Sequence, residues 1–278
     1  MAITNRYDFI MLFDVENGNP NGDPDAGNAP RMDTNSGYGY ITDVCLKRKI
    51  RNFVELAKEG ESGYNILVKP DKALNTRFAE AYDAEQLEKG KKGKKTDDVK
   101  KARDYMCRNY FDVRAFGAVM STGDNPCGIV RGPVQITFAR SLSQINIEDV
   151  TITRQARTTE DRQETGGTEM GRKSIIPYAL YRAEGYISAA LAQKVTGLSD
   201  DDVELLWDAI VNMFENDHSA ARGKMCMRKL YIFKHDSTLG NCPSHVLFDK
   251  VEVSLKEEKP PRQFADYTIH VDDAMPEG

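Results

Sequence analysis

The first 51 residues hold the pattern that most restricts the fold: a strand that is apolar on both faces, a polar loop and a basic helix. Residues Tyr7 to Val15 carry apolar side chains at every odd position, and Ile10 and Leu12 place apolar side chains on the other face. Successive side chains of a strand point to opposite faces of the sheet. The pattern therefore predicts a central strand with at least part of each face covered.

The loop that follows, Glu16 to Gly39, is crowded with Gly, Asn and Asp, above all between Asn17 and Asp25. Gly and Asn tolerate positive φ, which turns backbone N–H groups inward and makes a cradle for an anion. The spacing also resembles a calcium-binding EF-hand loop, with Gly22 at the sixth position. The twelfth position is Asn28, however, which has no carboxylate to offer the ion. An amide cradle is thus the favoured interpretation.

A helix is predicted from Thr42 to Ala57, because Thr42 is a plausible N-cap and Asp43 complements the helix dipole. The 3.6-residue period places one basic set on a common face, next to the apolar stripe of the helix: Lys47, Arg51 and Lys58. Helix N-termini and loop amides present N–H groups to phosphates, and cations add charge. The strand, loop and helix together predict a receiver for an anionic chain.

Catalytic and metal-binding signals are weak. Carboxylates cluster around the loop, and two-metal nucleases use such groups, yet no second acidic motif has matching spacing: Asp14, Glu16, Asp23, Asp25, Asp33. The four histidines all lie in the second half, which argues against a metal-free ribonuclease. Cys242 and His245 would form half of a zinc site whose other half is missing. We therefore predict no enzyme activity, no metal and no cofactor.

The compartment is indicated by the cysteines and by the N-terminus. The five cysteines form no CxxC pair, and the start of the chain has no signal-peptide pattern. No apolar run approaches membrane-spanning length. These features predict reduced thiols in a cytoplasmic protein without a membrane partner.

Two insertions interrupt the remaining pattern. Residues 60–108 include a lysine-rich run at 89–95 and are expected to be a mobile, solvated segment. Residues 142–174 alternate like a long polar hairpin that cannot build its own core and needs a partner surface. The hairpin carries five cations: Arg154, Arg157, Arg162, Arg172 and Lys173.

The other elements complete a split βαβ order. Strands are predicted at Phe111 to Met120, Val134 to Ala139, Tyr178 to Ile187, Met225 to Lys234 and Lys250 to Leu255, and a capping box at Ser199 opens a second helix. The order strand, helix, strand, strand, strand, helix, strand predicts an α+β, ferredoxin-like (RRM-like) fold with both helices on one face. Its open sheet face could serve as a platform for single-stranded RNA.

Arg114 lies on the first of these predicted strands, and two interpretations stay open for it. It is either a structural ion-pair partner near Asp112 or a guanidinium that stacks on a base.

The distribution of charge matters more than its total. The formal net charge is −5, whereas a free-standing nucleic-acid binder is usually basic. Lys and Arg nevertheless concentrate at residues 47–51, 89–103 and 154–173, while residues 198–217 are acidic. Such asymmetry permits a basic groove on an acidic body and favours self-assembly.

Five motifs together resemble one known family: residues 17–25 (NGNPNGDPD), 39–51 (GYITDVCLKRKIR), 112–117 (DVRAFG), 130–135 (VRGPVQ) and 174–178 (SIIPY). They are similar to the backbone subunit of type I CRISPR Cascade complexes, most closely that of subtype I-C. The resemblance implies an RRM-like palm from residues 1–59, 109–141 and 175–257, a finger at 60–108, a thumb at 142–174 and a tail at 258–278.

The resemblance also implies partners. Copies would stack head to tail along a CRISPR guide RNA, with each thumb flipping one base, so that the remaining bases pair with target DNA. Other Cascade subunits and a recruited helicase-nuclease would complete the assembly. Base pairing by the guide would then supply the sequence specificity.

The candidate RNA-binding residues combine the pattern with the resemblance. They come from the loop, the basic helix, the strand with Arg114 and the thumb: Asn17, Asn19, Asn21, Arg31, Lys47, Arg48, Arg51, Arg114, Arg154, Arg157 and Arg172. In related type III filaments the equivalent loop carries an aspartate that cuts target RNA, so Asp23 and Asp25 keep an RNA-guided endoribonuclease open as the alternative. A small-ligand α+β domain is a third, weaker interpretation.

Overall fold

A computed structural model describes residues 1–90, 95–154 and 169–274 of the chain. Its strands are β1 Tyr7–Gly18, β2 Gly22–Asp23, β3 Ala29–Pro30, β4 Tyr38–Ile41, β5 Gly117–Met120, β6 Gly128–Arg131, β7 Val134–Ile136, β8 Ala139–Gln144, β9 Glu148–Arg154, β10 Glu169–Ile187, β11 Lys224–Lys234, β12 Val251–Leu255 and β13 Tyr267–Val271.

The helices are α1 Asp43–Ala57, α2 Leu74–Ala84, α3 Thr96–Asn109, α4 Phe111–Phe116, α5 Ala189–Leu191, α6 Asp200–Asn212 and α7 Ser244–Asp249. Short 3-10 segments at Pro24–Ala26 and Phe264–Asp266 and a π turn at Ala192–Thr196 complete the structure. Within the described ranges, no helix combines the length and the apolar character needed to cross a bilayer.

The main sheet has the strand order β11-β1-β10-β8-β4, with β7 and β9 also paired to β10. All of these pairings are antiparallel, and β1 lies in the interior of the sheet between β11 and β10, pairing with β10 from Tyr7 opposite Ile187 to Gly18 opposite Ile176. With β7 and β8 taken as one strand, this is the order of a ferredoxin-like fold. The predicted α+β class is therefore confirmed, and β1 is the central strand that its two apolar faces indicated.

One face of the sheet packs against α1 and α6. The odd-numbered side chains of β1 enter this core, where Phe9 lies 5.1 Å from Trp207 and Phe13 lies 5.2 Å from Phe214 between ring centroids. Thr42 caps α1 by accepting from the Cys45 N–H, and Ser199 opens α6 with a capping box. Both helix starts were predicted from these cap residues.

The other face of the sheet is covered at its centre, which corrects the expected open RNA platform. Ile10 and Leu12 of β1 pack in a second core with α7 and the β12–β13 hairpin. The predicted tail from residue 258 in fact contains β13, which pairs along all of β12. The cause is the apolar even-numbered face of β1, because burying Ile10 and Leu12 needs a cover that the two long helices cannot supply.

Residues 60–108, expected to be mobile and solvated, contain two helices instead. α2 and α3 build their own core with α4, β5 and β6, and Phe78, Tyr82 and Met106 are all at most 1% exposed there. Burial raises the pKa of Cys107 to about 11 and that of Cys127 to about 12, so both remain protonated at neutral pH. The many lysines of this segment made its apolar positions hard to recognise as a core in the sequence. Residues 91–94 of the lysine run lie outside the described residues.

The segment Phe111–Phe116 is a helix, where the sequence predicted a strand. All six residues of α4 are buried, including Asp112 and Arg114. The strand begins only at Gly117, whose φ is 79° and where an added Cβ would lie 2.4 Å from the Val130 carbonyl oxygen. The backbone of Val130 and Gly132 thus approaches this position too closely for any side chain.

The thumb hairpin is described only at its base. β9 pairs with the start of β10 from Glu148 opposite Ile175 to Arg154 opposite Glu169, as the alternation predicted. The two strands predicted from Arg172 onward are one continuous strand, β10. The hairpin tip, with Arg157 and Arg162, lies outside the described residues.

The Asp112 carboxylate is predicted to be a main determinant of stability. It is 1% exposed and accepts hydrogen bonds from Arg51 Nε at 2.8 Å and from the backbone N–H groups of Leu67 and Val68. Removing one partner of a buried ion pair costs about 3–5 kcal/mol. We expect Asp112→Ala to lower the free energy of unfolding by that amount in urea titrations.

The matched control for this variant is Asp124→Ala. Asp124 is an exposed aspartate in the turn between β5 and β6, so its replacement should change the same free energy by less than about 0.5 kcal/mol. Equal stability losses in the two variants would contradict the role assigned to Asp112.

Candidate nucleic-acid interface

The polar loop after β1 folds back on itself. Asp23 caps the short 3-10 helix by accepting from the Asp25 N–H, and Asn17, Gly27 and Asn28 adopt positive φ. The predicted conformational freedom of Asn and Gly is therefore used. The predicted amide cradle is wrong at three positions, because the N–H groups of Asn19, Asn28 and Arg31 donate to carbonyls inside the protein.

Asn21 fastens this loop to the start of α1. Its Oδ1 accepts from the Thr42 N–H at 3.0 Å and from the Thr42 hydroxyl at 3.1 Å. Asn21 was predicted to contact RNA, but its amide oxygen binds Thr42, the N-cap residue of α1. Arg31 is also engaged, since its guanidinium lies 3.4 Å from the Asp23 carboxylate. The loop is thus joined to the N-terminus of α1 by two hydrogen bonds.

The basic face of α1 is largely turned toward the protein. Lys47 and Arg51 share a face as predicted, but both lie over the ring of Phe116. Arg51 is 8% exposed and paired with Asp112, so its prediction as a phosphate contact is wrong. Lys47 is half-buried and paired with Asp43. This face of α1 packs against Phe116 of α4, so Lys47 and Arg51 contact the protein although they share one face of the helix.

Arg48 keeps a different position on the same helix. It is half-buried and makes no ion pair with any residue in the described ranges. Of the four α1 cations at 47, 48, 49 and 51, it is therefore the one most available to an anion, since Lys49 is buried against Asp217.

Arg114 is a structural residue, which decides between its two interpretations. Its guanidinium forms a two-point pair with Asp202 of α6, at 2.8 Å and 2.7 Å, and donates to the carbonyls of Gly63 and Cys107. It is 8% exposed. The prediction that it contacts RNA is wrong, because every face of the group is already occupied by the protein.

A surface groove lies where the loop meets the base of the thumb hairpin. It is lined by residues from the loop, from β9 and β10 and from the turn before β11: Asn19, Gly27, Asn28, Asp149, Arg172, Lys173, Ser174 and Ala221. Within the described residues, Arg172 makes no ion pair, whereas the Lys173 ammonium donates to the Ala220 carbonyl at 2.7 Å. Asp149 is engaged by the Ser174 hydroxyl. The groove thus offers cationic side chains beside a polar loop.

Asn19 fixes the fold of the loop beside this groove. Its Nδ2 donates to the Asn28 carbonyl at 2.7 Å, which fixes the orientation of the amide. Its Oδ1 is buried and accepts no hydrogen bond from the described residues. A buried acceptor without a partner costs about 1–3 kcal/mol, and this cost falls on the fold because the atom has almost no surface that a ligand could reach.

The remaining predicted RNA contacts divide into two groups. Asn17 is exposed at the end of β1. Arg154 ends β9, but its side chain and the whole of Arg157 lie outside what the structure describes.

The loop carboxylates are dispersed. Asp14 is 2% exposed and accepts from Tyr178 and Arg228, so it is a structural group. A hydrogen bond from Ser36 lowers the pKa of Asp33. Asp25 is exposed on the 3-10 helix, two residues before the groove residue Gly27. Asp25 is therefore the loop carboxylate with the freest access to a bound strand.

Sequence reasoning missed the two groove residues Asn28 and Lys173 as candidate contacts. Asn28 was assessed only as a calcium ligand, and Lys173 only as one charge of the thumb. The available signal was their position, because Asn28 lies in the same loop as the predicted contacts Asn19 and Asn21, and Lys173 lies just before a predicted strand. The pairing partners Asp202 and Asp217 carried no pattern that linked them to α1 or α4.

Comparison with protein families gives a match over nearly the whole chain. The family model described as "CRISPR-associated protein Cas7" matches residues 5–272. A curated relative from Haloferax volcanii, named CRISPR-associated protein Cas7, is 28% identical over 241 residues. That alignment covers 76% of this chain and 66% of the relative, so the chain spans just under two thirds of the relative's length.

Two solved structures give weaker likenesses. One, titled "CRISPR RNA-guided surveillance complex, pre-nicking", has 16% identity and a TM-score of 0.47, over 79% of this chain and 73% of that one. The other, a type III-B Cmr-beta complex bound to cognate target RNA, has 13% identity and a TM-score of 0.46, over 83% and 61%. With both TM-scores below 0.5, family membership rests on the sequence model.

The link between the loop and α1 leads to a prediction about Asn21. Asn21→Ala removes two hydrogen bonds to Thr42, which should cost about 1–2 kcal/mol of the free energy of unfolding. Urea titration checks this value. Asn35→Ala is the control, because Asn35 is exposed and only its backbone N–H is bonded to Asp33. If Asn21→Ala were no less stable than the control, the loop would not be anchored through this amide.

Proposed function

This chain belongs to the family of CRISPR-associated protein Cas7, and on that premise we propose that it is a backbone subunit of a type I surveillance complex, of subtype I-C. Copies of the chain assemble head to tail along a CRISPR guide RNA. The guide bases stay free to pair with target DNA, while other Cascade subunits and a recruited helicase-nuclease complete the response. The subunit itself is proposed to act by binding, in the cytoplasm and without a cofactor.

The observation that carries the proposal is the groove between the loop and the hairpin base. Arg172, which forms no ion pair with the described residues, lines it together with Lys173 and Asn28. Proteins hold nucleic-acid strands mainly through phosphate and sugar contacts from such cations and amides, which position the strand without reading its sequence. This mode of contact suits a subunit whose guide must vary.

We assign Arg172 to a phosphate of the guide, because it lines the groove and forms no ion pair with the described residues. Asn19 lines the same groove, but its Oδ1 is buried, so no contact with the guide is assigned to that atom.

The hairpin is assigned to contact with a neighbouring copy. Its described base exposes apolar side chains, with Val150 39%, Ile152 42% and Met170 77% exposed. Val150 and Ile152 are two residues apart on β9 and share one face of the hairpin. A head-to-tail contact that does not close on itself produces an open helical array. Copies would thus bury the apolar face that one copy leaves exposed.

The assignment of Arg172 predicts a change in the salt dependence of binding. Each phosphate contact to a single strand adds about 0.7 to the slope of log affinity against log salt concentration. We expect Arg172→Gln to weaken binding of single-stranded RNA and to flatten this slope by about 0.7. Fluorescence anisotropy titrations at salt concentrations from about 0.05 to about 0.3 M measure the slope, because surface electrostatic interactions change strongly over this range.

Arg262→Gln is the matched control for this experiment. Arg262 is an exposed arginine on the segment between β12 and β13, outside the groove, so its slope should equal that of the wild-type protein. An unchanged slope in Arg172→Gln would remove Arg172 from the phosphate contacts.

One observation favours a second candidate, an RNA-guided endoribonuclease. Asp25 is an exposed carboxylate of the loop, two residues before the groove residue Gly27, so it is accessible to a strand that enters from solvent. Asp23 is less suited to this task, because it caps the 3-10 helix and lies near Arg31. Carboxylates of this kind cut RNA when they hold a divalent cation that activates a water molecule.

The two functions predict different fates for complementary RNA. If the chain only binds, the assembly with its guide should leave a labelled complementary RNA intact in the presence of Mg²⁺, and this is the result we expect. Guide-directed cleavage that disappears in Asp25→Asn, with guide binding retained, would instead establish the endoribonuclease. Denaturing gel electrophoresis of the labelled strand distinguishes these outcomes.

A further inference from the structure

The second face of the main sheet is covered only in part. Antiparallel register places Tyr40, Arg140, Arg182 and Leu12 in one row across β4, β8, β10 and β1, all on the same face. Leu12 lies beneath the C-terminal cover, and Arg182 donates to the carbonyls of Phe248 and Val251 in that cover. The row therefore passes from a buried centre to an open edge at β8 and β4.

The open edge displays aromatic rings. Phe138, just before β8, is 52% exposed, and its ring lies parallel to that of Tyr40, with 6° between the planes and 6.2 Å between the centroids. Tyr38 is 36% exposed two residues before Tyr40. Exposing this much aromatic surface to water is unfavourable without a ligand or partner. A planar ligand could extend the existing stack on the side of Phe138.

The neighbouring polar groups bear on the identity of the ligand. Arg140, directly opposite Tyr40, is 64% exposed and is only 3.7 Å from the Asp33 carboxylate. These two charges cancel, so the patch has little attraction for a phosphate. Gln144 also lies on this edge, which lacks the contiguous apolar surface of a protein–protein interface core. Parallel rings beside a guanidinium and an amide suit an uncharged, planar group with hydrogen-bonding edges.

We propose that Tyr38, Tyr40, Phe138 and Arg140 form a base-stacking platform that takes an unpaired nucleobase of a single-stranded nucleic acid. The base stacks on Phe138, and Arg140 donates to its edge. This platform is separate from the groove at Arg172, because it contacts bases and the groove contacts the ribose-phosphate backbone. That the ligand is a single strand rests on the proposed function. That the contact is made by stacking rests on the exposed, parallel rings of Phe138 and Tyr40.

The test compares two probes on the full-length chain. One probe is a ten-residue oligouridine, and the other is an abasic ribose-phosphate oligomer of the same length. Stacking on an aromatic side chain contributes about 1–3 kcal/mol per base, which is roughly 5- to 150-fold in affinity. We expect Phe138→Ala to weaken oligouridine binding by at least about fivefold. It should leave the abasic oligomer and the salt slope unchanged, and Phe138→Tyr should retain wild-type affinity.

Several outcomes would overturn the platform. Equal losses on both probes would mean that the side chain acts on the backbone contacts or on the fold. No loss on oligouridine would mean that the rings do not stack on a base. Loss of self-association in size-exclusion chromatography, with oligouridine affinity unchanged, would make the patch an interface between copies.

Arg172→Gln distinguishes this inference from the proposed function. If Arg172→Gln has no effect while Phe138→Ala weakens binding of oligouridine alone, the assignment of the groove to RNA binding is wrong and the platform is supported. If only Arg172→Gln changes binding, the platform is wrong and the groove stands.

Discussion

The buried carboxylate of Asp112 is the interaction on which the arrangement of the main sheet and the helical segment before α4 depends. It joins α4 to α1 through Arg51 and to the chain between α1 and α2 through the N–H groups of Leu67 and Val68. Two residues later, Arg114 joins the same short helix to α6 through Asp202. A six-residue helix has little stability of its own. Its position is set by these two ion pairs, which are buried and supported by further hydrogen bonds to the backbone, so that each is costly to break.

The covered second face of the sheet decides where a nucleic-acid strand could run. An RRM-type sheet usually binds RNA across its open face, but here α7, β12 and β13 occupy the centre of that face. Tyr178 and Arg228 both bond the buried Asp14 beneath this cover, so removing the cover would expose a paired charge. The surfaces left are the loop edge with its groove and the β8–β4 edge with its rings.

Much of the fold followed from the sequence, because local signals agreed with the tertiary structure at β1, α1, α6 and β11. The two apolar faces of β1 predicted its central place, and caps at Thr42 and Ser199 marked both helices. The errors have a common cause in burial by distant partners. In the sequence, Arg51 and Arg114 have the pattern of surface cations. Their buried partners show that they are core residues: Arg51 pairs with Asp112, which the sequence placed on a strand, and Arg114 pairs with Asp202, which is far away in the chain. Helical periodicity predicts which residues share a face, as for Lys47 and Arg51, but not what that face packs against.

Several cationic side chains form ion pairs inside the fold, and this affects how strongly one subunit can bind RNA. Lys47, Lys49, Arg51 and Arg114 are all paired with carboxylates of the same chain. Among the described residues, the cations that line the groove are Arg172 and Lys173, and the formal net charge of the chain is −5. A single subunit should therefore bind a strand weakly. Copies that hold one another raise the effective concentration of each groove near the strand, to the millimolar range for short connections. Weak grooves in series would then give a stable filament whose affinity depends on the contacts between copies as much as on the contacts with RNA.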